Sequence, residues 1–141
     1  MRRPGDHDKS SDINEWVVRT CAARPASELT FPFRPGTAVF KIGNKMFAMV
    51  SEDDEPARLT LKCDPDHARY LIERFEEIVP GYHMNKKHWI TVSLEGGVTL
   101  TLLDELISDS YDLVLASLPL SLRASTALVD PHRVRTSDRT S

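Results

Sequence analysis

The chain has two cysteines in 141 residues, Cys21 and Cys63. That is too few for a disulfide framework, and no Cys-x-x-Cys spacing suggests zinc or redox work. No apolar run approaches the roughly 18 to 20 residues that a bilayer-spanning helix needs, so no membrane partner is expected. The first residues, MRRPGDHDKSSD, start basic but lack an apolar stretch behind them and are not expected to act as a secretory signal. Free thiols then fit a reducing compartment, and a cytoplasmic location is expected. Gly-x-Ser-x-Gly, a phosphate-cradling glycine loop and a cysteine–histidine pairing at a nucleophile's spacing are all missing. The expectation is a protein that is not an enzyme. Excess positive charge is missing too. The net charge of −3 weighs against a surface coated with phosphate-binding side chains, while leaving room for a local basic patch.

What is present suits one soluble domain. A hydrophobic fraction of 40% and a charged fraction of 28% are those of a globular chain with a real core. Residues 1–10 and 123–141 are polar and aperiodic and are expected to be flexible, leaving 11–122 as the folded unit.

Periodicity organises that unit. Ile13, Trp16, Val17 and Cys21 share one helical face over about 12–23, with Ser11 or Asp12 as cap and Pro25 beyond its end. LTFPFRPG is too rich in proline for a helix and reads as an extended linker. AVFKIGNKMFAMV reads as a hairpin with Gly43 and Asn44 as a two-residue turn. Regular pairing would set Ile42 against Lys45, Phe40 against Phe47 and Ala38 against Met49, with Ala48 on the second face beside Val39, Lys41 and Met46. After the acidic loop SEDDEP, ARLTLK alternates Leu59 and Leu61 inward with Arg58, Thr60 and Lys62 outward. Asp64 and Pro65 are start signals for a helix running to Val79, with Ala68, Leu71, Ile72, Phe75 and Val79 as its stripe and Pro80–Gly81 as its stop. YHM and HWITVSL read as two strands around an NKK tip, with Ile90 and Val92 facing one way and Trp89, Thr91 and Ser93 the other. A last helix over 101–117 carries Leu103, Leu106, Ile107, Ser110 and Val114, with Thr101 and Asp104 as a capping box. Helix, three strands, helix, two strands, helix, with short connections, predicts an α+β two-layer sandwich: an antiparallel sheet of about five strands with helices on one face.

Candidate chemistry gathers at the two strand turns. Lys41 and Lys45 lie at or beside one tip, Lys86 and Lys87 at the other, and Arg58 and Lys62 point outward between them. Tyr82, His83, His88 and Trp89 supply rings that could stack on bases. This set points to weak nucleic-acid binding. The competing reading is that edge lysines discourage strand-to-strand aggregation and the rings simply pack. Residues 31–123 hold ten basic and fourteen acidic side chains, so the acidic helices must face away from any phosphate. Glu73, Glu76 and Glu77 with Asp64 and Asp66, and Glu52 to Glu55, have no EF-hand spacing and read as solvated charge. His83 and His88 match no recognised ligand motif, so no metal or cofactor is expected. Cys63, at a helix N-terminus, is the thiol best placed for a stabilised thiolate, though an inert buried thiol is the simpler reading.

FPFRPGTAVFKIGNKMFAMV, LTLKCDPDHARYLIERF, PGYHMNKKHWITV and DELISDSYDLVLASLP together resemble the MmcQ/YjbR family, over about residues 28–119. The resemblance implies a fold similar to CyaY, the bacterial frataxin, and DNA binding by a double-wing arrangement. Frataxin's acidic ridge lies on its first helix; here that helix has only Asp12 and Glu15. The leading expectation is a small binding module with DNA as partner. The alternative is a protein-interaction or small-ligand module with no nucleic acid, its pocket lined by Phe33, Tyr82 and Trp89.

Overall fold

The structure, a computed structural model, describes residues 4–32, 35–54, 56–81 and 85–123, with side chains from residue 12 onward. The chain runs α1 (Pro4–Ala22), β1 (Glu28–Thr30), β2 (Thr37–Ile42), β3 (Lys45–Ser51), β4 (Arg58–Lys62), α2 (Pro65–Arg74), β5 (Ile78–Pro80), β6 (Trp89–Ser93) and α3 (Leu100–Ala116). The strands form one sheet in the order β1-β2-β3-β4-β6-β5, antiparallel at each pairing. The three helices share a core with one face of that sheet, which makes the expected α+β two-layer sandwich.

The core follows the alternation of the strands. Phe40, Ile42, Leu59, Leu61, Ile90 and Val92 meet Val17, Leu71, Leu103 and Ile107 from the helices, all buried. Burying each large side chain is worth about 1.5–3 kcal/mol. Tyr111 of α3 stands edge-on to Phe47, with ring centroids 5.3 Å apart at 90°, and donates its hydroxyl proton to the Pro25 carbonyl at 2.7 Å. Arg24 donates to Ser108 Oγ at 2.5 Å. These bonds fasten the end of α1 to α3.

Several boundaries differ from the periodicity. Helix α1 starts at Pro4, so Ser11 and Asp12 lie within it instead of capping it; proline in a first turn has no N–H to waste. The segment expected as a linker contains the edge strand β1, kept to three residues by the prolines that follow. The helix expected to reach Val79 ends at Arg74, where Phe75 takes extended backbone and its amide donates to the Leu71 carbonyl; Val79, before a proline, favours extended backbone as well. Ile78–Pro80 then pairs with β6 as β5, the place expected for YHM, whose residues 82–84 lie outside the described ones. The cap of α3 is Thr99, whose hydroxyl accepts from the Leu102 amide at 3.1 Å, not Thr101.

The β2–β3 hairpin has the expected turn, with Gly43 at φ +52° and Asn44 at φ +69°, and Ile42 pairs with Lys45. Beyond that its register departs. A bulge between Phe40 and Lys41 sets Phe40 against Ala48 and Ala38 against Val50. Phe47 is the extra residue. Ala48 turns into the core and Met49 out, the reverse of regular alternation.

Candidate nucleic-acid interface

Four of the sequence-predicted residues share the sheet face away from the helices. Arg58 and Lys62 alternate with the core-facing Leu59 and Leu61 on β4, and Lys41 and Trp89 occupy the same face of β2 and β6. Lys41 lies opposite Met46, and Lys62 directly opposite Trp89. Lys41 with Met46 and Lys62 with Trp89 make two cross-strand pairs at roughly 4.8 Å per strand, one on β2 and β3 and one on β4 and β6, toward the same end of the sheet. The row beside them, Val39, Met49, Thr60, Thr91 and Val79, has Val39, Thr60 and Thr91 buried, with the two threonine hydroxyls 3.1 Å apart.

Two local devices set those pairs. The β3–β4 ladder ends at Ala48 and Leu61, beside the bulged Phe47, and Ser110 of α3 bridges the two strands there. The Lys62 amide donates to Ser110 Oγ at 2.8 Å, and the Ser110 hydroxyl donates to the Phe47 carbonyl at 2.5 Å. At the other end Gly81 donates its amide proton to the Trp89 carbonyl at 2.7 Å. A Cβ on Gly81 would lie 2.5 Å from Trp89 Cβ, so only glycine lets the backbone come this close.

Lys86, Lys87 and His88 are exposed in the turn that enters β6. Asn85 builds this turn, its side-chain oxygen accepting from the Lys87 amide at 2.9 Å and its carbonyl from the His88 amide at 3.2 Å. The Cys63 amide donates to the His88 carbonyl at 2.8 Å, which places the turn at the end of the sheet where β4 finishes. The β2–β3 tip lies at the same end, yet Lys45 belongs to the other side. Its partner Ile42 faces the core, and Lys45 Nζ reaches Ser117 Oγ at 3.4 Å, beyond the end of α3. Tyr82, His83 and Phe33 lie outside the described residues.

Charge divides the face along its strands. Among the described residues, the ammonium groups of Lys41, Lys62, Lys86 and Lys87 have no ion-pair partner. Arg58 is 4.0 Å from Asp54 and lines a cavity of about 290 Å³ with Glu76, Glu77, Thr91 and Ser93, so that end is balanced. Glu77 accepts a hydrogen bond from the Gly97 amide at 3.1 Å, which holds its carboxyl below the usual range. On the helix side a second cavity of about 290 Å³ collects Cys63, Asp64, His67, Asp109 and Asp112. Burial, helped by Asp109 and Asp64, pushes the Cys63 thiol up to about 11, so it is a buried thiol held neutral and not the stabilised thiolate its position suggests. Burial pushes Cys21 up to about 12. Among the described residues no group of three or more His, Cys, Asp or Glu side chains could hold a metal ion, and no helix is long and apolar enough to cross a membrane.

Met46, Met49, Gly81 and Ser110 are the contributors that sequence reasoning did not assign to the site. Met49 and Ser110 depend on the bulge, which leaves no signal in the periodicity.

A family model described as YjbR matches residues 22–113. The chain is 41% identical over 111 residues to the uncharacterized protein YbdF of Escherichia coli O157:H7, covering 79% of this chain and 90% of that one. It is 29% identical over 103 residues to the uncharacterized protein YjbR of Escherichia coli strain K12, covering 73% and 87%. Among solved structures it resembles protein DR2400 of Deinococcus radiodurans, a DUF419 domain, with a TM-score of 0.74 and 39% identity over 80% of this chain and 86% of that one. A Pseudomonas syringae protein matches at TM-score 0.61 and 27% identity, over 70% and 96%.

Proposed function

The chain belongs to the YjbR family, and from that premise we propose that it is a non-catalytic cytoplasmic module that binds nucleic acid weakly. The bound surface is the lysine-bearing end of the sheet face away from the helices. The observation that carries this reading is Lys41, Lys62 and Trp89 on one face beside Lys86 and Lys87, with four ammonium groups that have no ion-pair partner among the described residues. Cations left unneutralised beside an aromatic ring form the kind of surface that takes a phosphate backbone.

The strength follows from the count. Four phosphate contacts give a log–log salt slope of about −2.8 on single strands and about −3.6 on duplex. Raising salt from about 50 to about 200 mM then weakens binding roughly 50- to 150-fold. The test is fluorescence anisotropy of labelled single-stranded and duplex oligonucleotides at those two salt concentrations. Wild type is expected to bind at low salt with a slope in that range, and Lys62→Glu/Lys86→Glu to abolish binding while keeping its circular dichroism spectrum. No binding by wild type at low salt, or equal binding by the double variant, removes this reading.

A further inference from the structure

We infer that the site takes its nucleic acid as a single strand, with a base stacked on Trp89 and the adjoining phosphates on Lys62 and the Lys86–Lys87 turn. The inference rests on the nucleic-acid reading above and narrows it to one class of ligand.

The first support is that the β2–β3 tip, one of the two strand turns, is not free. Duplex recognition by a hairpin requires a tip free to enter a groove. The β2–β3 tip is propped against the chain beyond α3: a Cβ on Gly43 would lie 2.9 Å from the Leu118 side chain and 3.5 Å from that of Leu122. Its lysine, Lys45, is turned toward Ser117 on the helix side. Lys41 and Lys62 sit within strands, on the sheet surface, not on a projection.

The second support is what alternates with the charge. On this face Lys41 lies opposite Met46 and Lys62 opposite Trp89, so each cation stands one strand spacing, about 5 Å, from an apolar side chain. A duplex presents phosphates outward and keeps the faces of its bases stacked inside, so Met46 and Trp89 would lose water against phosphate for no return. A single strand offers both chemistries at once, phosphates for the ammonium groups and base faces for the ring. Trp89 is half-buried, directly beside Lys62, with Gly81, just beyond β5, packed against its Cβ. The indole is therefore braced at its base by backbone and bordered by a cation.

The chain has two tryptophans, Trp16 and Trp89. Trp16→Phe leaves Trp89 as the single reporter. In that background, at low salt, oligo(dT) is expected to quench tryptophan fluorescence and to bind more tightly than a duplex of equal length, which leaves the emission unchanged. Trp89→Leu is expected to weaken oligo(dT) binding about 5- to 150-fold while duplex binding stays within twofold, roughly. Trp89→Phe, which keeps a stacking face, retains most of the affinity, and thermal melts of both variants report whether they fold. If oligo(dT) and duplex bind equally and without quenching, or folded Trp89→Leu binds oligo(dT) as wild type does, the single-strand inference fails and the nucleic-acid reading survives. Absence of binding to either ligand sinks both.

Discussion

Ser110 is a polar residue in the middle of an apolar helix stripe, fully buried, with its hydroxyl placed between two strands. Deleting the oxygen takes this partner from a part-buried amide on Lys62 and a buried carbonyl on Phe47. Each such group costs about 1–3 kcal/mol when left without a partner. Ser110→Ala is therefore expected to lower the unfolding free energy by about 2 kcal/mol, read as a shift of the urea midpoint with an unchanged slope. An unchanged midpoint would mean that the two backbone groups close directly onto each other and that the hydroxyl is dispensable. Periodicity alone put Ser110 on the buried face of α3. It could not say why a hydroxyl belongs there, because the bonding need arises from a bulge in β3, with four elements between it and α3 in the chain. The same holds for Cys63: its place before Asp64 and Pro65 is plain in the sequence, while the carboxylates and burial that keep it neutral come from packing.

At the scale of elements, legible and illegible features separate by the range of their causes. The start of α2 at Asp64 and Pro65 and the period-two strands β4 and β6 were readable because their signals lie within a few residues. The register of β3 was not, since the bulge answers to core packing of both Phe47 and Ala48. Nor was the adjacency of β4 and β6, with the whole of α2 and β5 between them in sequence, and that adjacency is what brings Lys62 beside Trp89. The β2–β3 turn shows the local kind of cause at its clearest. Gly43 and Asn44 both hold positive φ, a conformation costing most side chains about 1–2 kcal/mol. Gly43→Ala is expected to destabilise by about that amount, with Leu118 also forced to move. Asn44→Gly should stay within about 0.5 kcal/mol of wild type. Thermal or urea unfolding distinguishes the two; equal losses at both positions would show that the turn is not the source of the strain.

For the whole molecule, the sheet separates the lysine-bearing end of one face from an acidic cavity on the other side. The acidic cavity of Cys63, Asp64, Asp109 and Asp112 lies on the helix side, while Lys41 and Lys62 lie across the sheet from it. A chain with net charge −3 can thus present a cationic surface without being a basic protein. Lys45 tests this partition, since it shares the β2–β3 hairpin with Lys41 but points to the opposite side. If phosphate is bound on the sheet face, Lys41→Ala removes one contact and reduces the salt slope by about 0.7 on single strands. Lys45→Ala removes none and leaves the slope unchanged, and the layer between Lys45 and the ligand, together with screening over about 10 Å at 0.1 M salt, keeps its effect on affinity small. Measuring log affinity against log salt for the two alanine variants sets neighbours in sequence against each other as residents of different surfaces. Equal slope losses would place the bound strand around the hairpin tip, not on the sheet, and the partition would then have no bearing on what this chain binds.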